Sequence, residues 1–536
     1  MKIDVNEQQL GSLYDLWNQI QMNKQTKLYD IGVIGLGVMG KNLALNIADN
    51  HYRVSAFDLD VLKVSGLVNQ AEKEVGPHRT LGIKGCDNLV EMLADLEKPR
   101  IFVLSVPAGK AVDGVCQALV EAGIEQDDIV VDTGNSLWTD TIAREEKYRH
   151  QFTFFSCAVS GGEVGARFGP SLMPCGDKKA WHRIQPIWEA IAAKVDPQSG
   201  LPIERTQPGE TVTEGEACTS YIGPAGSGHY VKMVHNGIEY ADMQLICEAY
   251  HLLSQGLGLD ALEVSAIFER WNKGSLNSYL MEISADILKQ LDPVTSKPLV
   301  ELILDKAGQK GTGLWTAVSS LQIGCPAPTM AEAVYARALS TQKTQRVKLS
   351  GLLSGPISPK NGLIDHTKAQ IFIDQLENAL YCAKVSSYAQ GFQLMAMAGK
   401  EQGWQLDFAK IAKIWRAGCI IRATFLQSIT QAYQHAADGA LENLLMAETF
   451  AVALSQKQHD WRQAVSQAVL NGIPAPCISS ALAYYDGYRS AILPANLLQG
   501  QRDFFGAHTF ERIDAPEGEK YHLNWSSAER KLHKVN

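Results

Sequence analysis

Ile31-Gly32-Val33-Ile34-Gly35-Leu36-Gly37-Val38-Met39-Gly40 joins a short apolar run to a G-x-G-x-x-G pattern, and the helical run Lys41–Ile47 follows at once. A strand feeding a glycine-rich turn and then a helix is the opening of a dinucleotide-binding βαβ unit. Gly35 permits the tight turn, Gly37 lets backbone approach a pyrophosphate, and Gly40 lets the helix pack on the strand. Leu36, Val38 and Met39 complete the turn, and the helix N-terminus offers free N–H groups to phosphate. The second strand, Val54–Phe57, ends at Asp58, about 20 residues past the last glycine, where an acidic side chain accepts ribose hydroxyls. Asp60 lies nearby. An isolated aspartate is ordinarily a solvated turn residue, but the βαβ context assigns Asp58 to the ribose.

Working outward, the runs Ile101–Val106, Ile129–Val131 and Phe152–Ala158 alternate with helical patterns as far as Ala193, which predicts a parallel sheet with crossover helices. From Val195 to Cys218 the chain is rich in Pro, Gly, Thr and Glu and reads as a surface connector. Helical periodicity follows, with signs of internal duplication. Gly324-Cys325-Pro326-Ala327-Pro328 recurs as Gly472-Ile473-Pro474-Ala475-Pro476, and Glu248–Leu252 with Trp271 is echoed by Ala389–Gln393 with Trp415. Two copies of a helical unit of roughly 140–150 residues explain both echoes; chance likeness between amphipathic helices is the alternative. The expected organisation is an N-terminal extension over 1–28, with one helix around Gln8–Gln21, and a Rossmann domain over 29–210. A duplicated all-helical domain over 211–495 and a C-terminal tail over 496–536 complete it.

A chain of 536 residues with 46% hydrophobic content forms more than one packed unit. Its net charge of -9 argues against a nucleic-acid partner. The ten cysteines are scattered, with no C-x-x-C pair and no metal-site spacing, and read as free thiols in a reducing compartment. The polar start has no signal-peptide character, and no run nears the roughly 20 apolar residues that span a bilayer. The expectation is a cytoplasmic protein with no membrane partner.

Lys232, His235, Asn236 and Glu239 lie at 0, +3, +4 and +7 and share one helix face, apart from the apolar stripe of Val234, Ile238, Ala241 and Leu245. A solvated face is one reading of this pattern. The other follows from alcohol oxidation, which needs a base for the hydroxyl proton; a desolvated, partly neutral lysine can serve. Glu239, about 10 Å along the same face, would then reach a different substrate carbon.

Together with these segments, Asp132 with Gly134-Asn135-Ser136, Val159-Ser160-Gly161-Gly162-Glu163, Gly308–Gly313 and Gln501–His508 carry a resemblance. The chain resembles the long form of the 6-phosphogluconate dehydrogenase family over roughly residues 29 to 525. That resemblance implies oxidative decarboxylation of 6-phosphogluconate to ribulose 5-phosphate with NAD(P) and without a metal. It assigns Lys232 as the base at the 3-hydroxyl and Glu239 as the acid at C1. It places Val106 and Asn135 at the cofactor. Substrate contacts fall to Asn135, Ser160, Gly161, Gly162, His235 and Asn236, and phosphate contacts to Tyr240, Lys310, Thr312, Arg337, Arg502 and His508. It also implies a homodimer whose tail enters the partner's site.

The chain departs from the family pattern at Pro107, Thr133, Val164 and Leu314, in a longer 196–216 segment and in the extra N-terminus. Asp58-Leu59-Asp60 stands where NADP-using members have Asn-Arg-Thr. Two carboxylates facing a 2′-phosphate, with no arginine between them, lead to the expectation that NAD is preferred over NADP. The competing readings are a related β-hydroxyacid dehydrogenase acting on a smaller acid and a catalytically idle nucleotide-binding regulator.

Overall fold

The computed structural model describes residues 28–75, 82–356, 366–436 and 441–535; the helix expected over Gln8–Gln21 lies outside the described residues. Strands β1 (Ile31–Ile34), β2 (Val54–Phe57), β3 (Ile83–Gly85), β4 (Ile101–Leu104), β5 (Ile129–Asp132), β6 (Thr153–Ser160) and β7 (Ser171–Cys175) form one sheet. Their order is β3-β2-β1-β4-β5-β6-β7, with all pairs parallel except β6–β7. Helices α1 (Val38–Asp49), α2 (Val61–Val75), α3 (Leu89–Asp95), α4 (Lys110–Ala122), α5 (Trp138–Tyr148), α6 (Gly162–Phe168) and α7 (Lys178–Ile191) complete this Rossmann unit.

Side chains alternate across each strand, so both faces of the sheet need apolar cover. Ile31, Val33, Val103 and Val131 pack with Leu43, Ile47, Ile184 and Trp188 of α1 and α7. Ile34, Phe102, Leu104 and Val130 pack on the other face with Met92, Val112 and Leu119. The sequence reading misses β3 and β7. The first is only three half-buried residues, and the second contains Pro174, a residue that sheets admit at an edge. The strand order reverses between β1 and β4, and ligands of such sheets bind at the carboxyl ends of strands beside that reversal.

The connector is more than a surface loop, which corrects the expectation. β8 (Lys194–Val195), β9 (Pro202–Ile203) and β10 (Glu216–Ala217) pair in the order β10-β8-β9. Buried Arg205 donates to Asn46 Oδ1 and Asp49 Oδ2 of α1, each at 2.6 Å. One buried guanidinium thus ties a Pro- and Gly-rich segment to the dinucleotide helix.

The helical part comprises α8 (Ser227–His251), α9 (Ala261–Trp271), α10 (Tyr279–Lys289), α11 (Leu299–Leu302), α12 (Thr312–Ile323), α13 (Pro328–Thr341) and α14 (Lys343–Ser350). It continues with α15 (His366–Gln402), α16 (Phe408–Ile414), α17 (Phe425–His435), α18 (Glu448–Leu470) and α19 (Pro476–Tyr488). The two Gly-x-Pro-Ala-Pro stretches have one local structure: a left-handed glycine, then a helix starting at the final proline. Trp271 ends α9 and Trp415 caps α16, both fully buried. The long helices α8 and α15 pack together. Their close approach depends on Gly391, where a Cβ would meet Ile238 Cδ1 at 2.6 Å.

Residues Ala481–Asn536 form a separate compact unit. It contains α20 (Ala495–Gly506) and a hairpin of β11 (Lys520–Leu523) and β12 (Leu532–Val535). Buried Asp503 organises it, accepting from Thr509 N at 3.0 Å, His522 Nδ1 at 2.8 Å, Leu523 N at 3.1 Å and Trp525 Nε1 at 2.8 Å. All ten cysteines are free thiols. Among the described residues, no helix is long and apolar enough to cross a membrane.

Candidate active site

The first three turns of α8 are buried on every side, so the solvated-face reading of Lys232, His235, Asn236 and Glu239 does not hold. Lys232 is 5% exposed and His235 not at all. Lys232 Nζ donates to Ser160 Oγ at 2.9 Å and lies 3.4 Å from His235 Nδ1. His235 Nε2 is 3.4 Å from Ser160 Oγ, and its Nδ1 is 3.2 Å from Asn236 Oδ1 and 3.8 Å from Glu239 Oε2. Ser160 is the last residue of β6, so the end of a sheet strand delivers a hydroxyl to the polar face of the helix.

Burial dominates the electrostatics. Desolvation lowers the Lys232 pKa, with the Glu239 charge opposing it. Burial, reinforced by the Lys232 charge, pushes His235 well below its ordinary value and keeps the imidazole neutral. The Glu239 carboxyl is raised by burial against the pull of Lys232 and Arg337. A base pushed down and an acid pushed up on one helix face are the pairing that proton transfer needs near neutral pH.

Asn135, Lys232, Asn236 and Thr312 line one small cavity beside this cluster. The guanidinium of Arg337 stacks 3.5 Å from the Tyr240 ring centroid. Lys310 is exposed just ahead of α12, and Gly161 and Gly162 lead into α6 beside Ser160. Arg502 on α20 and His508 just beyond it belong to the second compact unit and are exposed.

Two residues of this neighbourhood had no role in the sequence reading. Buried Asp132 accepts from Gly134 N at 2.9 Å and Ser136 Oγ at 2.6 Å, shaping the turn that presents Asn135. His229, its pKa lowered by burial, lies 3.1 Å from Gly134 O and 2.6 Å from Thr141 Oγ1. It tethers α8 to that turn. The Asp-x-Gly-Asn-Ser spacing hinted at the first; nothing in sequence singled out the second. Among the family departures, the Thr133 hydroxyl bonds Leu104 O at 2.7 Å, whereas Pro107, Val164 and Leu314 are exposed.

The dinucleotide end fits its ligand. Gly35 has φ +92°, and a Cβ at Gly40 would sit 1.8 Å from Gly35 O, so the turn closes only on glycine. The N-cap Gly37 is exposed and has no side-chain cap, which leaves the first N–H groups of α1 open to phosphate. Val106 is half-buried just past β4.

The model of the NAD binding domain of 6-phosphogluconate dehydrogenase matches residues 30–200, and that of the 6-phosphogluconate dehydrogenase C-terminal domain matches residues 228–525. The chain belongs to the 6-phosphogluconate dehydrogenase family. It is 48% identical over 506 residues to the NADP(+)-dependent, decarboxylating 6-phosphogluconate dehydrogenase of Bacillus subtilis, covering 94% of this chain and 100% of the relative. It is 46% identical to the decarboxylating enzyme of Schizosaccharomyces pombe, covering 94% and 97%. A Plasmodium falciparum 6-phosphogluconate dehydrogenase, solved in apo form, with its cofactor NADP+ and with its substrate 6-phosphogluconate, is 38% identical. It superposes with a TM-score of 0.82, covering 92% of this chain and 100% of that one. The chain is a nicotinamide-dependent oxidoreductase.

The expected preference for NAD does not hold. The Plasmodium relative binds NADP+, and the Bacillus relative is NADP(+)-dependent. The structure supplies the physical reason why Asp58 misleads. Its Oδ2 accepts from Leu36 N at 2.7 Å and its Oδ1 from Asp60 N at 2.9 Å, with Lys63 Nζ 3.6 Å away. Burial alone would raise this carboxyl, yet those N–H donors and Lys63 hold it below its ordinary value. Asp58 is spent on fixing the glycine turn, and a cation stands beside it. The cofactor is NAD(P).

Proposed function

We propose that Lys232 and Glu239 carry the two proton transfers of the family reaction in this chain. That reaction is the oxidative decarboxylation of 6-phosphogluconate to ribulose 5-phosphate and CO₂. Bound NAD(P), held by Gly35–Gly40 with Val106 and Asn135 alongside, supplies the hydride acceptor. The observation that carries the reading is the buried cluster of Lys232, Ser160 and His235, in which the lysine has no carboxylate of the described residues at ion-pair distance.

Neutral Lys232 takes the proton of the C3 hydroxyl as C3 is oxidised. The resulting ammonium, beside Ser160, then gives its proton to the C3 carbonyl oxygen as the carboxylate leaves as CO₂, and the electron pair passes into an enediol. Glu239, its carboxyl raised by burial, delivers a proton to C1 of that enediol while Lys232 takes back the enediol O–H proton, which leaves the ketone of ribulose 5-phosphate. Neutral His235 and Asn236 hold the substrate hydroxyls, with Asn135, Gly161 and Gly162 alongside. Tyr240, Lys310, Thr312 and Arg337 gather the phosphate, where charge-assisted bonds are strongest. Initial rates with 6-phosphogluconate and each nicotinamide cofactor, with CO₂ and ribulose 5-phosphate assayed as products, test the reading. Reduction of cofactor without CO₂ release would sink it.

Arg502 and His508 complete the phosphate site from the tail of a second copy, making the active species a homodimer. Support comes from the exposed apolar groups of the same tail, Leu497, Leu498, Phe504 and Phe505. Inactive Lys232 and Arg502 variants mixed into verified hybrid dimers should recover activity, and no recovery would place the tail in its own subunit. The segments 1–28, 29–210, 211–495 and 496–536 remain the proposed organisation, with 211–495 read as a duplication. Ten free thiols support a reducing, cytoplasmic setting.

A further inference from the structure

Away from the Lys232 site lies a cavity of about 790 Å³, walled by the end of α1, by α7, by the 211–220 segment and by α16. Its volume falls within the roughly 300–1,000 Å³ of small-molecule sites. It begins at Asn50 and His51, just past the C-terminal end of α1. The glycine-rich turn is at the other end of that 12-residue helix, about 18 Å away by helical rise. The cavity is therefore not the dinucleotide site.

The wall carries three lysines, Lys194, Lys410 and Lys413, and two glutamates, Glu189 and Glu216. Lys194 is 7% exposed and its ammonium donates to the backbone carbonyl of Glu189, but no carboxylate of the described residues lies within ion-pair distance. Buried charges are normally paired, and burial here depresses the lysine pKa, so an anion reaching Lys194 would relieve a standing penalty. Thr219, 8% exposed on the same wall, has a buried hydroxyl with no hydrogen-bond partner among the described residues. Lys410 pairs with Asp407 at 3.0 Å and Lys413 with Glu216 at 2.5 Å, so Lys194 is the lysine of this wall without a carboxylate partner among the described residues. A buried ammonium and an unpaired threonine hydroxyl on one wall, with Lys410 and Lys413 able to exchange a surface carboxylate for a stronger anion, suit a phosphate ester.

The cavity is also mechanically joined to the catalytic cluster. Glu216 is held by Arg416 at 2.6 Å as well as by Lys413. Ile414, a lining residue, accepts through its carbonyl from Ser171 Oγ at 2.7 Å, and Ser171 is the register partner of Ser160. The next residue, Trp415, packs edge-on against His235 with ring centroids 5.4 Å apart. On the opposite side, Arg205 clamps the inserted segment to α1. A shift of α16 or of the insertion is thus felt at both the lysine site and the dinucleotide helix.

We propose that this cavity is a regulatory site for a small phosphorylated metabolite, with Lys194 as its principal anchor, whose occupancy changes turnover at the Lys232 site. Calorimetry on the full chain tests it, with saturating 6-phosphogluconate and NADPH, a pair that cannot turn over, blocking both known sites. The probes are inorganic phosphate, fructose 1,6-bisphosphate and ADP, with citrate as a non-phosphate anion. At least one phosphorylated probe should bind, tenfold or more weakly in Lys194→Met, and several-fold more weakly in the surface variant Lys410→Gln, which carries little folding risk. Tighter binding of fructose 1,6-bisphosphate would identify a sugar phosphate, and tighter binding of ADP a nucleotide. The bound probe should change kcat in a manner that neither substrate nor cofactor overcomes. A Lys232→Ala chain should bind it like the unaltered protein, which separates this site from the catalytic assignment. No binding by any phosphorylated probe, equal binding by citrate, indifference to both lysine substitutions, or binding without a change in kcat would each overturn the proposal.

Discussion

Helices α8 and α15 lie against each other in the core, and each buries a lysine, yet the two lysines are treated in opposite ways. Lys384 of α15 sits 2.8 Å from Asp242 Oδ1, a close ion pair rather than a well-aligned hydrogen bond, with Ser278 Oγ at 3.2 Å. Lys232 of α8 has a hydroxyl at 2.9 Å and an imidazole at 3.4 Å, and among the described residues no carboxylate in contact. The rest of the buried polar groups on α15 are similarly committed. Gln390 exchanges hydrogen bonds with Thr329 at 2.8 and 3.1 Å, and Ser386 and Ser387 bond back to carbonyls one turn earlier. Matched partners make α15 a structural element. Around Lys232 the partners are long or neutral, and this leaves its proton affinity available for chemistry.

The largest effect should follow from Lys232→Ala, with kcat falling about 10²–10⁴-fold while substrate binding by calorimetry is retained. Near-normal turnover would erase the contrast between the helices. The active pair holds one proton between Lys232 and Glu239. Activity should therefore fall on the acid side, where a second proton is taken up, and on the alkaline side, where the last is lost. Because the lysine is lowered and the glutamate raised, that window is narrower than ordinary lysine and glutamate values would give. Glu239→Gln should keep the first hydride transfer in stopped flow, slow the steady state and remove the alkaline limb of kcat against pH. An unchanged profile in this variant would point to another acid.

Lys384→Met should act on stability rather than chemistry, costing about 3–5 kcal/mol by urea unfolding because Asp242 is left buried and unpaired. The double variant Asp242→Leu/Lys384→Met should recover most of that loss. If it does not, the pair does more than neutralise itself. Gln390→Leu removes the acceptor for Thr329 N near the start of α13 and should cost about 1–3 kcal/mol with kcat unaltered. The smallest effect is expected for Ser386→Ala, about 1 kcal/mol or less, since its hydroxyl only supplements a helical carbonyl. Any loss of activity there would carry catalysis onto α15.

Much of this was legible residue by residue. The strand, glycine turn and helix over Ile31–Asp49, the second strand and the spacing of Lys232, His235, Asn236 and Glu239 are local patterns, written in steric and helical periodicity. Asp58 shows the limit of such reading, since an aspartate in the ribose position looks the same on paper whether its oxygens are free or bound to Leu36 and Asp60 N–H groups. Arg205 shows it again. A Pro- and Gly-rich connector gave no hint that its arginine would be buried against Asn46 and Asp49, more than a hundred residues upstream.

Sequence alone determined the order of β1, β2, β4, β5 and β6, the dinucleotide turn and the identity of the groups able to exchange protons, because these follow from backbone sterics and from side-chain chemistry at fixed spacing. Tertiary structure decided which of them matter. Desolvation separates the Lys232 and Glu239 values from those of solvent-exposed counterparts, and only packing of β6, α15 and Trp415 around α8 creates it. The same packing gives Lys384 a carboxylate and, among the described residues, denies one to Lys232, because contact between residues far apart in the chain is set by the folded core and not by their spacing.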